Sequence, residues 1–194
     1  MSLKERVYSV LVVSAAEKMN TALSSVLAES HFQPVRFVTN VSAAKRAWGE
    51  QPFDHIIINS PLPDDTGIRF AIDAAASKGT VVLLLVRAEL FDGVFDKVVE
   101  HGVFTLAKPL SLPVFSSALR FMESTRERLR LLEQKTLSFE EKMEEIRIVN
   151  RAKWLLISRL QMDEPQAHRY IEKQAMDRCI PRREVAEEII KTYS

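Results

Sequence analysis

Four histidines, one cysteine and a scatter of carboxylates are the residues of this 194-residue chain that could carry covalent or acid–base chemistry. They do not combine into a site. His31, His55, His101 and His168 fall at no metal-ligand spacing, and no CxxC or Cys/His cluster suggests zinc. Cys179 has no adjacent base, and no glycine-rich loop could cradle a phosphate. The expectation is a protein that is not an enzyme and that needs neither cofactor nor metal. Two patterns remain. Asn59 closes an apolar run, with Asp54 before it and Pro63 and Gly67 after it. An amide oxygen at such a place is not a useful nucleophile. The second pattern is cationic: Arg147, Arg151, Lys153, Arg159, Arg169, Lys173, Arg178, Arg182 and Arg183 crowd the last third. Such cations contact phosphates and release counterions, which supplies affinity with little sequence information. The other use of each is a solvated helix face, above all beside Glu172, Glu184, Glu187 and Glu188. His168, Tyr170 and Trp154 are the rings near that charge, and a ring can stack on an unpaired base.

Composition narrows the setting. Hydrophobic residues make up 46% and charged residues 27%, the balance of a soluble globular chain. The net charge is +1, so a nucleic-acid surface must be a local patch. A lone cysteine makes no internal disulfide, which points to the cytoplasm. No apolar run reaches the roughly 18 residues of a membrane span. Residues 1–6 are charged but lead into a strand-like run, unlike a signal peptide.

The first part of the chain alternates strand-like and helix-like segments. Residues 7–13, 34–38, 55–58, 80–86 and 103–106 are short β-branched or apolar runs and predict strands. The run at 80–86 is the most apolar and should lie centrally. Residues 18–30, 41–50, 68–77 and 90–100 have helical spacing, with Ser42 the expected N-cap of the second. Residues 60–67 concentrate Pro, Asp and Gly and read as a turn. Glu17, Asp64 and Asp65 fit a helix start and that turn. Alternating strands and helices imply a parallel sheet covered on both faces. Residues 1–121 are thus expected to form a doubly wound five-stranded α/β domain.

The pattern changes near Ser116. Met122, Leu129, Thr136, Met143 and Asn150 take one position of a heptad, and Thr125, Leu132, Phe139, Ile146 and Lys153 take the other. This predicts a coiled-coil linker helix over 122–139 and a homodimer. Met122, Leu129, Leu132, Phe139, Met143, Ile146 and Asn150 would form its seam. Asn150 would favour a parallel pair. One long amphipathic helix folded back on its own domain is the alternative. Residues 140–194 predict a small three-helix all-α domain. Asp163 should cap a helix that runs to about Arg178, with Ala167, Tyr170, Ile171, Gln174 and Ala175 inward. Pro181 opens the last helix, with Val185, Ala186, Ile189 and Ile190 inward.

The Asn59, Pro63, Gly67 and Lys108-Pro109 layout resembles the receiver domain of two-component systems. The resemblance implies a phosphoacceptor at the carboxyl edge of the sheet, where open α/β sheets hold their sites. It also implies an acidic pair for Mg²⁺ and a hydroxyl after the fourth strand. Here the acceptor position is Asn59, the acidic pair is Ser14 and Ala15, and the hydroxyl position is Val86; Lys108 alone is retained. A receiver so altered is not expected to be phosphorylated.

The tail resembles the ANTAR domain. Its motif residues stand as Ala152-Lys153, Leu155-Leu156, Ala167, Ile171, Ala175-Met176-Asp177 and Val185-Ala186. His168 replaces a usual aromatic, often Tyr, and Trp154 replaces a common Gly. The resemblance implies a response regulator that acts in transcription antitermination, binding paired hairpins in a transcript leader as a dimer. Arg147, Arg151, Lys153, Arg159, His168, Arg169, Lys173 and Arg178 would be the RNA-binding residues. The receiver would then be a scaffold or a docking module for a regulatory protein. The alternative is a pseudo-receiver interaction protein whose tail only dimerises. An exposed apolar face over 152–173 would favour that alternative, and a basic one would favour RNA.

Overall fold

The structure is a computed structural model that describes residues 6–28 and 31–194. Residues 1–5 and the expected helix end at Glu29 and Ser30 lie outside the described residues. The chain divides into two compact units, Met1–Glu133 and Gln134–Ser194.

The first unit is a parallel sheet of β1 (Tyr8–Val13), β2 (Phe32–Val38), β3 (His55–Asn59), β4 (Val81–Arg87) and β5 (Phe104–Lys108) in the order β2-β1-β3-β4-β5. Both faces are buried, which is why its central strands read as continuous apolar runs. Side chains alternate across the pleat. Leu11, Val13, Ile56, Ile58, Val82, Leu84 and Val86 point to one core, formed with α2 (Val41–Glu50), α3 (Ile68–Ala75) and α4 (Phe91–Val98). Tyr8, Val10, Val12, Ile57, Leu83 and Leu85 point to the other. That second core is closed by α1 (Glu17–Ala28) and by the first turns of α5 (Leu112–Leu160). The expected helix over 90–100 is α4 flanked by single 3₁₀ turns at Ala88–Leu90 and Val99–His101.

Two expectations need correction here. Asn40, not Ser42, caps α2: its backbone is extended and its side chain accepts from the Ala43 N–H at 2.8 Å. Ser42 is already inside the helix. Its N–H and hydroxyl donate to Asp64, as does the Val41 N–H at 2.9 Å. Met122 is fully buried against the sheet beside Phe115 and Leu119, and Leu129 packs on the same core. Met122 belongs to the interior of its own chain and cannot also line a seam between two chains, whereas Leu129 is only partly buried.

Polar contacts fasten α5 to the amino edge of the sheet. Asp54 accepts from the Ser9 N–H and hydroxyl and from Arg126 Nε at 2.8 Å. Arg126 and Arg130 extend the network to Glu133 and Glu127, and Glu127 also accepts from the Tyr8 hydroxyl and pairs with Arg6. Burial raises the Asp54 pKa, but the Ser9 and Arg126 hydrogen bonds outweigh it, and the carboxyl is held below its usual range.

The second unit packs the last turns of α5 against α6 (Glu164–Arg178) and α7 (Arg182–Tyr193). Its core is Ala152, Leu156, Ala167, Ile171, Ala175, Val185, Ala186 and Ile189. Half of these are alanines, which lets the three helices approach closely. Asp163 caps α6 in a full capping box with Gln166. Tyr170 departs from the expected inner stripe. It lies about 100° around the helix from the Ala167, Ile171 and Ala175 line and is exposed.

Candidate functional site

The two places singled out by the sequence are built in different ways. At the carboxyl edge of the sheet, β3 ends on Asn59 and β5 ends on Lys108. Lys108 Nζ donates to Asn59 Oδ1 at 2.7 Å and to the Ser60 carbonyl at 2.5 Å. Asn59 Nδ2 donates to Ser14 Oγ at 3.1 Å, and that oxygen also accepts from the Ala16 N–H. The structure thus brings Ser14, Asn59 and Lys108 together. Ala15 is exposed beside them, and Val86 is buried in the core beneath. Burial, and then the charge of Arg87, lowers the Lys108 pKa.

A hard divalent cation would not fit this donor set. It needs several oxygens, including carboxylates. The Asn59 carbonyl oxygen is already held by an ammonium group. The nearby acids are engaged elsewhere: Asp64 on the start of α2, and Asp65 on the Gly67 N–H at 2.6 Å. Gly67 has a left-handed backbone, and a Cβ there would lie 2.9 Å from an Ile58 methyl, so this tight turn fixes where Asp65 can reach.

In the tail, the named cations divide into two sets. Lys153 pairs with Glu164 at 2.8 Å, Arg178 makes a two-pronged pair with Glu188, and Arg183 pairs with Glu187. The hydrogen bond and charge of Lys153 lower the Glu164 pKa. Arg182 lies near Glu145 and Glu172, and Arg147 lies 3.6 Å from Glu144. His168 sits 3.2 Å from Glu172. Among the described residues, Arg151, Arg159, Arg169 and Lys173 form no ion pair.

Helical phase explains the second set. On α6 the line of Ala167, Ile171 and Ala175 faces inward, so Arg169, Lys173 and Met176, at i, i+4 and i+7, face outward. On α5 the inward residues are Ala152, Leu155 and Leu156, which turns Arg151 and Trp154 outward. Met176 is 77% exposed and Trp154 66%. Met176 carries no role in the sequence reading. Its spacing from Arg169 and Lys173 was the signal that could have found it.

Leu132, Phe139, Met143, Ile146 and Asn150 are exposed along α5. Lys153, expected to continue that row, is instead largely covered and tied to Glu164. Among the described residues, no helix is long and apolar enough to cross a membrane.

Comparison with known proteins agrees with both halves. Residues 138–190 match the ANTAR domain. The chain is 29% identical over 140 residues to the transcriptional regulatory protein PdtaR of Mycobacterium tuberculosis, spanning 72% of this chain and 68% of that one. It is 35% identical over 127 residues to the aliphatic amidase regulator of Pseudomonas aeruginosa, spanning 62% of this chain and 61% of that one. Among solved structures, the signal receiver domain of an HD-domain protein from Pseudomonas fluorescens superposes with a TM-score of 0.59 at 19% identity, covering 67% of this chain and 96% of that one. A CheY-like receiver domain from Methylobacillus flagellatus gives 0.52 at 18% identity, covering 60% and 99%. At such identities these two speak for the fold alone. Residues 138–190 thus form an ANTAR domain, and the sheet domain that precedes them has a receiver-like fold.

Proposed function

We propose that this chain is an RNA-binding transcription antiterminator that acts as a homodimer on paired hairpins of a transcript leader. We also propose that its receiver-like domain works without phosphorylation. The observation that carries the RNA reading is the outward set of unpaired cations, Arg151 on α5 with Arg169 and Lys173 on α6. They sit in a domain whose family supplies RNA recognition. Arg147, Lys153, Arg159, His168 and Arg178 complete the proposed surface. The paired members can still serve, because an exposed ion pair is worth only about 0–1 kcal/mol and exchanges readily for a phosphate.

The proposed dimer uses the exposed row of Leu132, Phe139, Met143, Ile146 and Asn150, without Met122 and Leu129. For the receiver, the support is the donor set: no carboxylate stands at Asn59, Ser14 or Ala15, and Lys108 is held by Asn59 and Ser60. A regulatory protein docked on that domain would be the means of control.

The test combines binding and sedimentation on the full chain. Hairpin pairs from the host's own leader transcripts should bind tighter than an unstructured RNA of equal length, with affinity falling steeply as salt rises. Leu132→Glu combined with Ile146→Glu should turn dimers into monomers. Equal affinity for the unstructured RNA would remove the antiterminator reading, and a monomeric wild type at micromolar concentration would remove the dimer.

A further inference from the structure

We propose that Trp154 is a stacking platform for an unpaired base, and so a residue that selects among RNA loops; this rests on the RNA reading above. Trp154 is the most exposed aromatic side chain of the tail. It is 66% exposed, and among the described residues it makes no ring contact. It stands on the outward face of α5, one turn after Arg151 and one turn before Ser158, while Ala152, Leu155 and Leu156 hold the opposite face in the core. The ring is therefore presented at a set place on the surface by a helix whose other side is locked.

The charge around it points to a polyanion. Between Glu145 and Asp163 the chain carries Arg147, Arg151, Lys153 and Arg159 and no carboxylate. An exposed indole among cations has the two parts that single-stranded nucleic acid requires: a π-face for the base and positive charge for the backbone. The same charge argues against Trp154 as a dimer contact. A parallel, in-register partner would bring an identical acid-free basic segment alongside it, and like charges repel. The seam would instead run mainly over the residues before Arg147, where Glu140, Glu141, Glu144 and Glu145 balance the cations, and would end at Asn150.

Stacking also separates two kinds of selectivity. Arg151 and Lys173 would respond to phosphates, which every RNA has. Trp154 would respond to whether a loop offers a base that can leave its stack, and to how strongly that base stacks.

The experiment uses the full chain and two RNA hairpins with one stem sequence and different loops, plus a single-stranded oligoadenylate. Trp154→Ala should weaken binding to the preferred hairpin by roughly 5- to 150-fold while leaving the salt slope unchanged. Trp154→Phe should retain most of the affinity. In Trp48→Phe protein, where Trp154 is the sole tryptophan, oligoadenylate should quench the emission. Trp48 packs edge-on against Phe70 in the other unit, so if that variant fails to fold the affinity comparison stands alone. Undiminished binding by Trp154→Ala, while the wild type still discriminates RNA, overturns this proposal and leaves the RNA reading intact. A loss of affinity that tracks a loss of dimers, and recovers at protein concentrations that restore them, overturns it in favour of a seam contact. A wild type that binds none of the three RNAs overturns both.

Discussion

The carboxyl edge of the sheet and the outward faces of the tail helices treat polar groups in opposite ways. At the sheet edge the polar groups of Ser14, Asn59, Lys108 and Asp64 meet others from the same chain. Lys108 is used by Asn59 and Ser60, Asn59 by Ser14, and Asp64 by the start of α2. In the tail, Arg151, Arg169 and Lys173 are held out with no counter-charge, beside an uncovered indole and an uncovered thioether. A region that satisfies itself has little left to offer a ligand. A region that leaves groups unsatisfied keeps them for a partner. The difference is what supports the proposal of a scaffold role for the first unit and a recognition role for the second.

The largest expected effect tests whether the two units stand separately. Leu156→Ala removes the largest aliphatic side chain that α5 buries in the tail core, at about 2–5 kcal/mol. That core is small and half alanine, so the tail should lose its fold while the sheet unit keeps its own melting transition. Calorimetry on the full chain reads this directly. A single shifted transition would show that the units melt as one.

Acid should act on the sheet unit first. His55 is fully buried at the start of β3 beside Tyr8 and Phe32, and neither ring nitrogen has a hydrogen-bond partner. Burial lowers its pKa to about 4. The unfolded chain binds this proton more readily than the folded one, so stability falls with pH. The loss begins near pH 6.5 and is complete near pH 4, with a size of about 3 kcal/mol. The depressed Asp54 carboxyl acts in the same direction at still lower pH. His55→Phe should flatten the profile between pH 4 and 6.5 in chemical denaturation, and an unchanged slope would place the acid sensitivity elsewhere.

A smaller effect compares cations within the tail. Arg151→Ala and Arg169→Ala should each lower the slope of log affinity against log salt by about 0.7–0.9, the signature of one lost phosphate contact. Arg178→Ala, which removes a cation already bound to Glu188, should change the slope less. Equal changes at all three positions would mean that pairing in the free protein does not decide which cations meet RNA.

The smallest expected effect is none. Asn59→Asp restores a carboxylate at the end of β3 but no metal-binding pair at Ser14 and Ala15. Acetyl phosphate with Mg²⁺ should leave this variant unlabelled. A stoichiometric acyl phosphate would show that the remaining donors suffice.

The fold was largely legible in the sequence because burial on both faces makes parallel strands nearly continuous apolar runs. Residues 80–86 announced a central strand; β4 is an interior strand buried on both faces, but β3 takes the centre of the sheet. The cap of α2 was less legible. Asn40 and Ser42 are both good capping types, and what separates them is Asp64, which arrives from 22 positions along the chain to take the Ser42 N–H. The heptad misled in a similar way. It records that Met122 is apolar at the right phase without saying whether a partner chain or the chain's own sheet will cover it. At the other end, Lys153 kept the heptad spacing but found Glu164 on the next helix. The lack of carboxylates at Asn59, Ser14 and Ala15 is visible in the residue types alone, whereas the exposure of Trp154 and Met176 depends on which face of each helix the alanines hold.

The Asp64 carboxylate has one more consequence. It joins the turn after β3 to the first turn of α2 through two backbone N–H groups and a hydroxyl. Swinging that turn outward would leave two N–H donors of the helix without an acceptor, and the helix's own ladder cannot supply one. The loop and the helix end therefore open together or not at all, and a small cooperative block stands beside the sheet edge where independent loop motion would otherwise be expected.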